Sequence, residues 1–395
     1  MAQPSACRPD QAAPAATQRP TVHVVTWFYE RQPGLAIYVA RLQALMKHAD
    51  VTVVCRHARD IERLGLPLKA HVIDTPGESQ FDIVRYTRQA ARWLQGQGCG
   101  PVVLLTAQVA LCAHWLPGRE VCLYWNEMPG HIFPRPRFNP FKAISHAVLR
   151  HLVYGGALKA QVVMPISHFM QQDLLARGRS LSHTPVVPMG VFGELPQPVP
   201  VEPNPAHALH VVYAGSLTEE KGRRELLDGV IGALDRGLNV RLTLVGLSRA
   251  EQDQIRRQFA EAGHGRAVQA LGLLPHAEAL AHVAAADVAF AMLHPEPHFQ
   301  YNPPTKVFEY LACGVPVLYN DLRTLSAYLA HGRTGYCAPL SAQGVQEALR
   351  WMCENRAELA SWRAPCREAG APYRWAEIEP MFLASVLPGS AVLLG

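Results

Sequence analysis

The sequence predicts an α/β protein built from two doubly wound domains that face each other across a cleft. Three observations predict it. Short β-branched and aromatic runs alternate with helical patterns through both halves of the chain. A proline-rich stretch at 187–205, with Pro188, Pro196, Pro198, Pro200, Pro203 and Pro205, divides that alternation into halves of near-equal size. The 395 residues also exceed what one hydrophobic core usually supports. The expected boundaries are a disordered leader at 1–20, an N-terminal acceptor-binding domain at 21–195 and a linker at 196–206. A C-terminal donor domain at 207–372 and a closing segment at 373–395 complete the chain.

In the first half, residues 21–28 form a convincing first strand, followed by a loop at 29–34 and a helical pattern in Ile37, Val39, Ala40, Leu42 and Leu45. A doubly wound sheet opens this way and binds ligands at the carboxyl ends of its strands, which makes Gly34 a candidate ligand contact. Further strands are expected at 51–55, 70–73, 102–106, 121–125, 161–165 and 185–188, with helices at 81–94 and, capped by Ser167, at 168–175. The strand at 121–125 runs into Asn126-Glu127-Met128-Pro129-Gly130-His131. A carboxylate just beyond a buried strand suits a general base or a group that positions an acceptor, so Glu127 is a candidate. Residues 133–159 combine Arg135, Arg137, Lys142, Arg150 and Lys159 with apolar positions. They fit a solvated helix or peripheral contact with an anionic membrane.

The second half restarts with a strand at 209–214 and a loop at 215–222 that is neither a G-x-G-x-x-G fingerprint nor a Walker loop. Gly215 and Ser216 shape this loop, and Lys221 stands where a helix start offers N–H donors and a cation to phosphate. The most informative stretch is 302–318. A helix starting near Asn302 would place Asn302, Thr305 and Glu309 at i, i+3 and i+7 on one stripe, with Lys306 adding positive charge. Glu309, among apolar neighbours, suits a sugar hydroxyl pair.

Composition removes several function classes. The net charge is +5, with no basic stripe interleaved with stacking aromatics, so nucleic acid is not an expected partner. None of the nine cysteines forms a CxxC pair or has His at zinc-ligand spacing, which argues against a metal cage or disulfide framework and fits a cytoplasmic protein. The leader has no apolar core of a signal peptide, and the weakly apolar run at 102–116 is too short and too polar to span a bilayer.

Six blocks of the second half occur in an order that resembles the donor half of the GT-B glycosyltransferases, in particular the retaining family-four group. They are VYAGSL at 212–217 with Lys221-Gly222, LTLVG at 242–246, Val268 with Leu271-Gly272, Ala286-Asp287-Val288, PTKVFEYLACGVPV at 304–317, and HGRTG at 331–335. The first half matches more loosely, through Pro33-Gly34, Val163 with Pro165-Ile-Ser167, and Val187-Pro-Met-Gly190; residues 373–377 resemble the family's closing segment, which crosses back to the first domain. The resemblance implies two facing Rossmann-like domains, a nucleotide-diphosphate sugar as donor, and retention without cofactor or metal. It gives Lys221 the donor diphosphate and Glu309 the ribose hydroxyls. On the reading of the residues themselves, Lys306 joins Lys221 as a candidate to stabilise the departing diphosphate, and Glu127 is a candidate to orient the acceptor. The family carries a further Glu eight residues before the ribose-binding one, where this chain has Tyr301. The acceptor, whether saccharide, lipid-linked or small molecule, is not specified, and polysaccharide, glycolipid or other glycoconjugate synthesis is the expected setting. Two alternatives share the architecture: a nucleotide-sugar epimerase, and a binding protein that has lost catalysis.

Overall fold

Parallel strands covered on both faces read as continuous apolar runs, and most strands of this chain do. A computed structural model describes residues 19–29, 34–134, 136, 139–197 and 207–388. The leader up to residue 18, residues 30–33 of the first loop, Arg135, Arg137 and Phe138 of the basic stretch, the linker at 198–206 and the end at 389–395 lie outside the described residues.

The N-terminal lobe consists of β1 (Thr21–Val25), α1 (Leu35–His48), β2 (Asp50–Cys55), α2 (Ala58–Leu64), β3 (Lys69–Val72), α3 (Gln80–Gln95), β4 (Val102–Leu104), β5 (Val121–Trp125), α4 (Pro129–Ile132), α5 (Pro140–Lys159), β6 (Val162–Pro165) and α6 (His168–Ala176). Its parallel sheet has the order β3-β2-β1-β4-β5-β6. Residues 185–188 do not form the expected strand. The Val187 N–H reaches Pro165 O at 2.9 Å, but Pro185 and Pro188 have no N–H with which to extend a ladder.

The C-terminal lobe repeats the design with β7 (Leu209–Ala214), α7 (Arg223–Asp235), β8 (Val240–Val245), α8 (Arg249–Glu261), β9 (Val268–Ala270), α9 (His276–Ala284), β10 (Val288–Ala291), α10 (Thr305–Ala312), β11 (Val317–Tyr319), α11 (Arg323–Ser326), β12 (Gly335–Cys337), α12 (Ala342–Glu354), α13 (Arg356–Ser361) and α14 (Arg363–Gly370). Its sheet runs β12-β11-β10-β7-β8-β9, also parallel throughout. Counted within each lobe, both sheets wind 3-2-1-4-5-6, the Rossmann order. The strand order therefore reverses beside β1 in one lobe and beside β7 in the other, and crevices open there at the carboxyl ends.

The last helix, α15 (Trp375–Val386), returns to the first lobe and packs Ile378, Phe382 and Val386 into its core. Val191 exchanges backbone hydrogen bonds with Tyr373 and Trp375 on the way, at 2.8 and 2.9 Å. Between the lobes, Ser167 caps α6 through its hydroxyl, which also donates to Tyr301 O at 2.6 Å. Arg323 reaches across to Gln172 at 3.2 Å and lies 4.2 Å above the Phe169 ring. His131 stacks on His298 with ring centres 4.4 Å apart.

Candidate active site

β7 ends at the switch point of its sheet and delivers Tyr213 and the loop that follows. Gly215 has φ 116°, a backbone conformation that favours glycine, and Lys306 Nζ lies 3.4 Å from where a Cβ would stand. Gly222, with φ 70°, closes the turn Glu219–Lys221 and opens α7; a side chain there would meet the Phe290 ring at 3.0 Å. Lys221 is thereby held with its Nζ donating to Ser216 Oγ at 2.8 Å.

Lys306 comes from α10, on the far side of the same loop. Its Nζ makes a short hydrogen bond to the Tyr213 hydroxyl and sits 3.8 Å from the ring centre. The Tyr213 hydroxyl donates in turn to Ser216 O at 2.7 Å. Ser216 and Tyr213 thus join the two lysines into one unit. Burial lowers the pKa of Lys306 far below its ordinary value, and the nearby Lys221 lowers it further, with Glu309 opposing. Burial also lowers that of Lys221, against the pull of Glu220. Among the described residues neither ammonium is in an ion pair. Two partly desolvated cations so close together are costly unless an anion lies against them.

Glu309 is one turn deeper in α10, and its Oε1 contacts His276 Nε2 at 3.0 Å. That hydrogen bond raises the pKa of His276, against the effect of burial. Thr305 is the first residue of α10 and shares a face with Glu309. Asn302 departs from the expected stripe. The helix starts at Thr305, because Pro304 is extended at its N-cap and Asn302 N–H is used by His298 O at 3.0 Å. Asn302 therefore lies in the loop that precedes the helix. Tyr301 packs against the N-terminal core, with its carbonyl taken by Ser167.

On the opposite lobe, Glu127 follows β5. Its Oε2 accepts from Gln108 Nε2 at 3.0 Å, and its Oε1 is in short contact with His131 Nδ1. Glu127 raises the pKa of His131 against its burial; Glu220 raises it further, and Lys221 opposes this. His131 thus lies within reach of the charges of the Lys221 loop across the cleft. Burial lowers the pKa of His298, as does His131 stacked on it. Asn126 steadies the exit of β5, accepting from Ala107 N–H and donating to the Tyr38 hydroxyl, both at 3.0 Å. Gly34 is the N-cap of α1, just after the undescribed residues 30–33, and among the described residues no hydrogen bond joins it to the lysine unit.

The structure therefore gathers Gly215, Ser216, Lys221, Lys306 and Glu309, with Thr305 beside them and Glu127 opposite. Sequence reasoning missed Tyr213, His131, His276 and His298 as members of the site. His131 had a readable signal, since Glu127 and His131 are four apart at a helix start. Tyr213 and His276 are 93 and 33 residues from their partners, and no local pattern links them.

Residues 208–355 match the family described as Glycosyl transferases group 1. Over 165 residues the chain is 25% identical to the GDP-mannose-dependent alpha-(1-6)-phosphatidylinositol dimannoside mannosyltransferase of Mycobacterium tuberculosis, covering 39% of this chain and 40% of that protein. The match thus spans about two fifths of the length of the curated relatives. Among solved structures, Anabaena HepE in complex with UDP and glucose superposes with a TM-score of 0.68 at 14% identity, over 94% of this chain and 100% of that one. Sucrose-phosphate synthase from Thermosynechococcus elongatus gives 0.67 at 16%, over 92% and 97%. WaaG, a glycosyltransferase involved in lipopolysaccharide biosynthesis, gives 0.68 at 14%, over 93% and 99%. At such identities these structures establish the two-lobed fold and nothing further.

Proposed function

We propose that this chain, whose residues 208–355 match the glycosyl transferases group 1 family and whose two lobes have the GT-B fold, moves a sugar from a nucleotide-diphosphate sugar to an acceptor. The observation that carries the reading is the joined pair Lys221 and Lys306, which lack a carboxylate partner among the described residues and lie at the switch point of the donor lobe. As the bond between the anomeric carbon and the phosphate oxygen breaks, its electron pair passes to the diphosphate. The two ammonium groups are already in place to stabilise the growing charge, which is electrostatic preorganisation. No metal is required for that step in this proposal.

Glu309, steadied by His276 on one oxygen, offers the other to the ribose hydroxyls. Glu127, fixed by Gln108 and His131, orients the acceptor hydroxyl from the other lobe. With retention, the acceptor oxygen attacks on the face the phosphate leaves, and its proton ends on the departing diphosphate. Tyr301 is turned to the N-terminal lobe, so contacts to the donor sugar fall to Asn302 and Thr305. Cleft closure excludes water and protects the donor from hydrolysis. The acceptor belongs to the N-terminal lobe, and glycoconjugate or polysaccharide synthesis is the setting proposed for it.

The test is a thermal-shift panel of nucleotides and nucleotide sugars, followed by product analysis with and without acceptors. A nucleoside diphosphate should raise the melting temperature by mass action, and its release from the sugar should depend on an acceptor. Conversion of the donor to an epimer without acceptor would sink the transferase reading. So would binding without transfer to any acceptor in a broad panel.

A further inference from the structure

On the N-terminal lobe, α5 carries Phe141, Ile144, Val148 and Leu152 at i, i+3, i+7 and i+11, which places them on one stripe. That stripe is not in the core: the four are 84%, 64%, 52% and 37% exposed, while Leu149 and Val153 are turned inward. Across a groove of about 620 Å³ lies α3, where Phe81 is 73% exposed. Arg85, Arg88 and Arg92 line the same groove beside Val84 and Val148. Gln80 and Ser145 tie the two helices together there through hydrogen bonds of 3.0 and 3.1 Å. The only carboxylate on either helix is Asp82, and it is occupied in capping Ser79. Single exposed apolar residues need no explanation, but a continuous stripe bordered by cations marks a surface that something covers.

We infer that this α3–α5 face docks on an anionic lipid bilayer, with the apolar stripe entering the headgroup boundary and the arginines meeting the lipid phosphates. Charge selects the occupant. A second copy of the chain, packed by a two-fold axis, would set Arg85, Arg88 and Arg92 against their own counterparts. An anionic surface meets all three favourably. Among the described residues no helix is long and apolar enough to cross a membrane, so contact is at the interface. Helix α5, which lies within the basic stretch read from the sequence, is half of this surface, and α3 supplies the other half.

The face also connects to the cleft. His146 Nδ1 contacts Pro134 O and Arg150 donates to Phe133 O, both at 2.6 Å, which fixes α5 to the segment just after α4. α4 carries His131, which stacks on His298 of the other lobe. A bilayer on α3 and α5 would therefore lie beside the acceptor side of the site and favour an acceptor held in that bilayer.

The test uses the full chain with phosphatidylcholine vesicles, with and without phosphatidylglycerol, in a sedimentation assay. The protein should pellet with the anionic vesicles alone and be released as salt rises. Phe141→Ser with Ile144→Ser, or Arg85→Gln with Arg88→Gln and Arg92→Gln, should each lower partitioning about tenfold or more. Both sets alter exposed positions, and the thermal shift produced by a nucleoside diphosphate should be unchanged. That readout separates this inference from the transferase reading, since either can fail alone. Equal binding to neutral vesicles, or binding to neither, would overturn it. So would a dimer in solution that the Phe141→Ser and Ile144→Ser pair converts to monomer.

Discussion

In the C-terminal lobe, the loop after the first strand of the sheet places Lys221 on Ser216, and α10 brings Lys306 and Glu309 to the same place. In the N-terminal lobe, the equivalent loop leads to Gly34 and α1, and the polar residues of interest come from β5 and α4 instead. The two sheets have one winding order. In the proposed reaction these ends would meet different chemistry. A diphosphate and a ribose would be common to every turnover, which suits a fixed set of cations and one carboxylate in one lobe. The acceptor would be the variable partner, and the other lobe presents Glu127 and an amphipathic face.

This contrast can be broken by substitution. The largest expected effect is at Lys221. Lys221→Ala should lower kcat by about 10²–10³-fold, as for loss of one preorganised charge-stabilising group. Circular dichroism should show that the fold is retained, and near-normal turnover would remove the lysine from the mechanism. Glu127→Gln comes next, with a loss on the order of 10²-fold in kcat, since a misplaced acceptor costs about that much. Its nucleotide dissociation constant should stay at the wild-type value; a parallel loss of nucleotide affinity would show that the lobes do not divide the work.

Glu309→Gln should do the reverse and weaken nucleotide binding by about 1.5–3 kcal/mol, the range for a hydrogen bond to a charged group. Calorimetric titration with the nucleoside diphosphate measures it. An unchanged constant would reassign the ribose contact.

The smallest effect concerns pH. Glu127 raises the pKa of His131, so the pair adds stability that is complete below the unfolded His value near 6.5 and is lost as pH rises through the raised one. The His131 side chain is 49% exposed, and solvent screening keeps the contribution under about 1 kcal/mol. In His131→Gln, denaturant midpoints should lose this decline on the alkaline side. An identical pH profile would mean that the pair does not couple to folding.

The sequence by itself determined the two-lobed α/β architecture, because buried parallel strands must be apolar runs and their crossovers must carry helical periodicity. It also singled out Lys221, Thr305, Lys306 and Glu309 as candidates, because they occupy short stretches next to strand ends where local spacing can be read. The helix start was misplaced at Asn302, since a Pro-Pro pair is compatible with either a first turn or an extended entry, and only packing chose the latter. Tertiary structure alone decided that Tyr213 joins the two lysines and that His276 steadies Glu309. It also set His131 against His298 and left the apolar stripe of α5 facing water beside the arginines of α3. These relations join residues far apart in the chain. They are created when two sheets and two lobes come together, and no periodicity of 2 or 3.6 residues can encode them.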